Sequence, residues 1–165
     1  MKVDQVMTSD AVYCRAGESL ARAAQLMWDR DCGCVPVVDH EKRVIGMVTD
    51  RDVCMAALHR GRPLHELVVS DAMATVPVTV GPEETVVVAQ DVMRRARVRR
   101  LPVTDVTGKL VGVLSLHDLA RAATTERRWF SGVSMRAVAR TFAEVSRPWD
   151  KPPSSTSRGE LGYAE

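Results

Sequence analysis

The stretch VIGMVTDRD at residues 44–52 decides how the rest of this chain is read. Apolar residues flank Gly46 as in a buried strand, Thr49 is a polar step, and Asp50 begins a helix-like run. The chain writes this corner again 66 residues later, as LVGVLSLHD at 110–118. Both copies hold a hydroxyl residue and an aspartate three apart, Thr49 with Asp52 and Ser115 with Asp118.

Working outward, the same 66-residue offset aligns two halves without a gap. Met7 falls on Met73, Glu18 on Glu84, Met27 on Met93, Pro36 on Pro102, Val37 on Val103 and Gly46 on Gly112. Helical spacing alone can match a few of these, but not the lone Pro-Val pair together with the glycine between apolar pairs. Each half opens with a short apolar run, AVYC or VPVTV, predicted as a strand. Apolar positions at helical spacing follow over 18–30 and 84–95. Then come CVPVV, the turn DHEKR and VIGMVT in one copy, and RLPVT, DVTGK and LVGVLS in the other. Two apolar runs about a five-residue turn predict a hairpin, and each hairpin leads into a short helix. The unit is β-α-β-β-α, twice, an α/β (α+β) fold. One copy of this size buries too little surface to stand alone; two packed sheet to sheet share the burden. Residues 1–60 form the first repeat, 61–123 the second, 124–147 an amphipathic helical extension, and the proline- and serine-rich 148–165 a disordered tail.

The totals fit this plan. A hydrophobic share of 45% with 27% charged residues suits a water-soluble fold, and apolar runs are too short to span a bilayer. With no apolar leader ahead of the pattern, the expected compartment is the cytoplasm. A net charge of +2 does not call for a polyanion partner. Cys14, Cys32, Cys34 and Cys54 have no disulfide or metal-ligand spacing and read as free thiols.

The halves resemble tandem cystathionine-beta-synthase (CBS) domains, the paired arrangement called a Bateman module. The residues that carry the likeness are VMT at 6–8 and AMA at 72–74, Pro36-Val37 and Pro102-Val103, and the closings GMVTDRD and GVLSLHD. It spans residues 3–123, and its motifs are loose singly but specific in order and in duplicate. The resemblance implies a pseudo-twofold pair of sheets, two clefts between the repeats, adenosine-family ligands and frequent dimerisation into a flat disc.

Thr49-x-x-Asp52 and Ser115-x-x-Asp118 each fit a capping box, in which hydroxyl and acid satisfy the first amides of a helix. The same corner at a cleft mouth offers amides for a phosphate and a carboxylate for the vicinal hydroxyls of a ribose. Both readings stand together. The resemblance implies that each cleft draws its aspartate from one repeat and its base-side wall from the other. One cleft then combines Met47, Thr49, Arg51 and Asp52 with Val78, Val98, Arg99 and Arg100. The other combines Val113, Ser115, His117 and Asp118 with Val12, Cys32, Gly33 and Cys34. Arginines in the first set suit phosphate oxygens, so the Asp52 cleft is expected to prefer the more phosphorylated nucleotide.

Plainer readings accompany these. RRARVRR at 94–100 lacks interleaved aromatics, so a nucleic-acid face is not favoured and Arg94, Arg95 and Arg97 read as solvated. Arg51 also suits an ion pair with Asp50 or Glu41, and Cys32-Gly33-Cys34 a tight turn. After the repeats, Phe130, Val133, Ala137, Thr141 and Val145 make one stripe of a helix starting near Ser134. It is read first as a packing helix over the module or its dimer partner, and otherwise as a docking or membrane-surface helix.

The expected function is a regulatory module sensing AMP, ADP or ATP, with S-adenosylmethionine or NAD as further candidates. Its output passes to a partner protein or through oligomer state, a homodimer first. The alternative is a structural or interaction protein with vestigial clefts. No catalytic set appears, since His117 and Asp118 are chain neighbours on one helix turn, so the chain is not expected to be an enzyme.

Overall fold

The computed structural model describes residues 1–124 and 133–148. In the first half β1 (Cys14–Arg15), α1 (Leu20–Asp29), β2 (Cys34–Val38), β3 (Val44–Thr49) and α2 (Asp50–Arg60) succeed one another. The second half supplies α3 (Val86–Ala96), β4 (Arg100–Thr104), β5 (Leu110–Ser115) and α4 (Leu116–Thr124), and α5 (Met135–Val145) follows. Short 3-10 turns at Val3–Gln5 and Val69–Asp71 open the two halves in register.

The hairpins β2–β3 and β4–β5 are antiparallel, Pro36 facing Met47 and Pro102 facing Val113. An aspartate organises each turn. Asp39 accepts the amides of Glu41 and Arg43 at 2.9 and 2.8 Å, and Asp105 those of Thr107 and Lys109 at 2.8 and 3.0 Å. Side-chain acceptors of this kind stand in for backbone turn bonds. The Thr107 hydroxyl, with these amides, holds the Asp105 carboxyl below the ordinary range.

The expected first strand appears in one half only. β1 pairs in parallel with β2, Cys14 with Val37 and Arg15 with Val38. Its counterpart is a single bridge from Val80 to Val103. The next rung would join Gly81 to Thr104 and needs an amide at residue 82, which is proline and has none.

Pseudo-twofold symmetry can be read from the bridges between the halves. Thr8 pairs with Val113 and Ala74 with Met47; Lys2 pairs with Thr85 and Val68 with Ser19. Each pair becomes the other when 66 is added to one residue number and taken from its partner. Arg43 and Lys109 map onto each other, so their bridge lies on the axis.

In place of one shared core there are two, each completed by the opening segment of the other half. Val3 joins Val86, Met93, Leu101, Leu114 and Leu119, whereas Leu67 and Val69 join Leu20, Met27, Val35, Val37 and Val48. Exchange of these segments is why one copy is incomplete.

The C-terminal helix packs chiefly on α3 and α4. Ser134 is its N-cap residue, and Val138, Thr141 and Val145 are its buried stripe, with Val133 just ahead. Val138 carries the contact expected of Ala137, which is half-buried. Arg94, expected in solvent, is largely covered: it donates to Thr141 at 3.2 Å and lies 3.2 and 3.6 Å from Asp91 and Glu144. Thr141 in turn donates to the buried Gln90. Phe130 and the tail from residue 149 lie outside the described residues. Among the described residues no helix is long and apolar enough to cross a membrane.

Candidate functional site

Each half ends its sheet in the same corner. Thr49 Oγ1 accepts the Asp52 amide at 3.2 Å, and Asp52 Oδ2 accepts the Thr49 amide and hydroxyl at 2.9 and 2.7 Å. Ser115 and Asp118 repeat this at 3.2, 2.8 and 2.6 Å. These are full capping boxes, and each fixes one carboxylate oxygen while orienting the other. Surroundings then divide the corners. Asp118 is 6% exposed and its Oδ1 accepts Arg121; Asp52 is half-buried and makes no ion pair among the described residues.

A cavity of about 650 Å³ opens at Asp118. The structure gathers around it all eight residues assigned to that cleft: Val113, Ser115, His117 and Asp118 from β5 and α4, and Val12, Cys32, Gly33 and Cys34 from the first half. The wall holding Val12 is set by Thr8, whose amide and carbonyl both bond Val113, at 2.9 and 3.0 Å. Gly112 permits that approach. A Cβ there would stand 2.7 Å from Met7 Sδ and 2.8 Å from the Thr8 carbonyl oxygen.

Three arginines also line the cavity, Arg30, Arg100 and Arg121. Arg30, at the end of α1, lies 3.6 Å from Asp10 at the rim. Arg100 corrects the sequence reading, which placed it in the Asp52 cleft. On β4 it faces Ser115 in register and projects toward Gly33. A five-residue strand alternates its faces, and sequence alone did not say which face turns to which cleft. Arg30 and Arg121 were missed as well, although Arg121 stands one helical turn from Asp118.

The residues assigned to the Asp52 cleft are placed less uniformly. Met47 is bridged to Ala74, Val78 and Arg51 are exposed, and Val98 is half-buried. Arg99 is drawn to α5, its guanidinium 6.0 Å over the Phe142 ring and 3.4 Å from Ser146 Oγ. With Arg99 engaged and Arg100 in the other cavity, the argument that charge favours the Asp52 side is overturned. Arg51 and Glu41 do not pair; Glu41 binds Arg43.

Cys14 and Cys34 are buried among apolar groups, whereas Cys32 is half-buried and Cys54 exposed. Burial pushes Cys34 up to about 11, although nearby Arg100 pulls the other way, and Cys14 up to about 12. Cys32 Sγ lies 3.4 Å from the Cys34 carbonyl. Among the described residues no cluster of three His, Cys, Asp or Glu side chains can hold a metal ion.

Two repeats that exchange their opening segments and wall one cavity between them define a paired-repeat module. The CBS domain model matches residues 3–59 and 69–124, and the chain belongs to the CBS-domain family. The uncharacterized protein YlbB of Bacillus subtilis is 34% identical over 134 residues, 81% of this chain and 89% of YlbB. TA0289 of Thermoplasma acidophilum, a conserved CBS-domain protein of unknown function, superposes with a TM-score of 0.72 at 18% identity, over 87% of this chain and 75% of its own, a likeness of fold. CBSX2 of Arabidopsis thaliana, solved in complex with AMP, superposes with a TM-score of 0.65 at 27% identity, over 74% of this chain and 95% of its own.

Proposed function

We propose that this chain is a regulatory module that binds an adenosine-containing ligand, AMP, ADP or ATP foremost, at Asp118. The observation that carries the reading is the cavity of about 650 Å³ walled by both repeats, with an oriented carboxylate at a helix start. That volume is in the range of small-molecule sites. The complex of CBSX2 with AMP supports the ligand class. Asp118 Oδ1 receives the ribose hydroxyls once Arg121, itself three-quarters exposed, turns outward. Because the walls belong to different repeats, a ligand that bridges them favours one arrangement of the halves, and a protein partner or a homodimer reads that arrangement.

A second reading has its own support. Asp118 is already saturated by Ser115 and Arg121, as in a purely structural cap. Thermal unfolding with AMP, ADP, ATP, NAD and S-adenosylmethionine separates the two. A ligand at a hundred times its Kd adds about 2.7 kcal/mol of stability. The regulatory reading expects such a gain from an adenosine ligand, lost in Asp118→Ala relative to that variant's own baseline. No gain from any member of the set supports the structural reading.

A further inference from the structure

The two halves differ in what lies on their paired helices. On the second half α5 packs against both α3 and α4. Its Thr141 donates to Gln90 and accepts from Arg94, and Glu144 stands 3.6 Å from Arg94. The 66-residue offset makes Ala24 and Trp28 the counterparts of Gln90 and Arg94 on α3, and Val53 and Cys54 those of Leu119 and Ala120 on α4. These four first-half residues line a groove of about 350 Å³ between α1 and α2. The seat that α5 fills on one half is therefore open on the other. Trp28 is 84% exposed beside it, and Leu58, one helical turn on from Cys54, is 71% exposed. Large apolar side chains left bare along a groove mark an interaction surface.

The two seats carry opposite charge. RRARVR at 94–99, four positive charges, stands where the first half has WDRDCG at 28–33, with one net negative charge. Arg30, the one base in that stretch, is turned to Asp10 at the rim of the other cavity. Asp31 and Asp50 line the α1–α2 groove, and neither makes an ion pair among the described residues. Asp50 shares the space at Gly33 with Arg100 Nη2, which partly offsets it, so the negative charge of the groove rests chiefly on Asp31. At the second seat the occupying helix answers the cation Arg94 with the acid Glu144. At the first seat Trp28 takes the place of Arg94, and a base on the occupant suits both its ring face and Asp31.

We propose that the α1–α2 groove docks a basic amphipathic helix of a partner protein, its apolar stripe on Trp28 and a lysine or arginine where α5 has Glu144. Laying an apolar helix face in a groove is a general mode of recognition, and α5 shows that this pair of helices accepts one. The chain's own α5 does not fit the first seat, because Thr141 would lose Gln90 and Arg94, and Glu144 would lose its cation. A second copy fits no better, since a two-fold contact sets groove on groove and Asp31 toward Asp31. The inference rests on the regulatory reading above for the existence of a partner and adds where that partner binds. Trp28, Val53 and Cys54 line no part of the Asp118 cavity, so docking can be measured without nucleotide.

The test uses two labelled peptides, read by fluorescence anisotropy against the full chain with no nucleotide present. One has the native sequence of residues 133–148; the other carries Thr141→Leu and Glu144→Arg in that sequence, which makes it more apolar and more basic. The altered peptide is expected to bind about tenfold or more tighter than the native one, and its binding to weaken with added salt. Trp28→Ala in the full chain lowers that affinity about tenfold, as loss of a central aromatic anchor does. Asp31→Asn lowers it severalfold; asparagine suits the positive φ of 46° at this position, so the backbone is kept. Trp28 and Asp31 are both exposed, and a native unfolding transition in each variant shows that the fold is intact. Equal binding of the two peptides, binding unmoved by Trp28→Ala, or no binding of the altered peptide overturns the proposal. A dimer in sedimentation that Trp28→Ala dissociates gives the groove to a second copy and overturns it as well. Thermal stabilisation by AMP without peptide binding removes the docking helix and leaves the ligand reading, and the converse result does the reverse.

Discussion

At Thr49 the capping aspartate is half-buried, and Met55 stands one turn further along its helix. At Ser115 the aspartate is buried, and Arg121 occupies the turn where Met55 has its counterpart. The backbone devices are otherwise the same to within a few tenths of an ångström. Duplication therefore kept what builds the sheet ends, because both cores depend on it. It released the side chains that line the clefts. Gly33 against Arg99, Cys34 against Arg100 and Met55 against Arg121 are the substitutions that make one cleft a charged cavity. The second half is further distinguished by α5, which lies on α3 and α4 and holds Arg99.

The sharpest way to break this comparison is to remove both aspartates in turn. Asp118→Ala deletes an acceptor of three side-chain and backbone donors from a buried position, and a loss of about 3 kcal/mol in urea unfolding is expected. Asp52→Ala loses the same cap in a wetter setting and is expected to cost about 1 kcal/mol. Equal costs would show that surroundings do not distinguish the corners.

Gly112→Ala is expected to cost about 2 kcal/mol, because the new methyl meets the Thr8 carbonyl as well as Met7. Gly46→Ala, where the corresponding Ala74 oxygen is 3.0 Å away, should cost less. A reversal of that order in thermal unfolding would contradict the tighter seat drawn for the segment at Thr8.

Thr141→Val probes the half that α5 covers. It leaves the buried Gln90 without its Thr141 donor and Arg94 without one acceptor, for about 1 kcal/mol. A neutral result would mean that α5 is held by its apolar stripe alone.

The smallest expected effect is alkaline and belongs to the first half. Cys14 and Cys34 have folded values near 12 and 11, above the ordinary 9.0, so the folded state holds their protons more tightly. Their contribution is intact below pH 9 and is lost as pH rises toward those folded values. Cys14→Val, which copies its counterpart Val80, should flatten the stability profile between pH 9 and 11. An unchanged slope would remove the thiol from that account.

Much of the fold was legible because hydrophobic period and turn chemistry agree. Both hairpins begin and end at the residues read from CVPVV, VIGMVT, RLPVT and LVGVLS. The exchange of opening segments was not legible, since Val3 and Val69 have the same apolar character whichever core they enter. Pro82 did carry a signal, a missing amide, but reading it required knowing that strand's neighbour. At the cavity, the Ser115–Asp118 corner was found from the repeat, and its grouping with Val12, Cys32, Gly33 and Cys34 from what the family resemblance implies. Arg100 was misplaced because an offset gives equivalent positions, not the cleft into which a long side chain reaches. Arg94 was read as solvated for a related reason, as its cover is α5, distant in sequence.

Hydrogen–deuterium exchange of the full chain with and without saturating AMP tests the central claim most directly. The account predicts slowed exchange in the segments that wall the cavity, residues 8–12, 30–36 and 113–121, lost in Asp118→Ala. Protection confined to other segments, or none while AMP is bound by calorimetry, would contradict it.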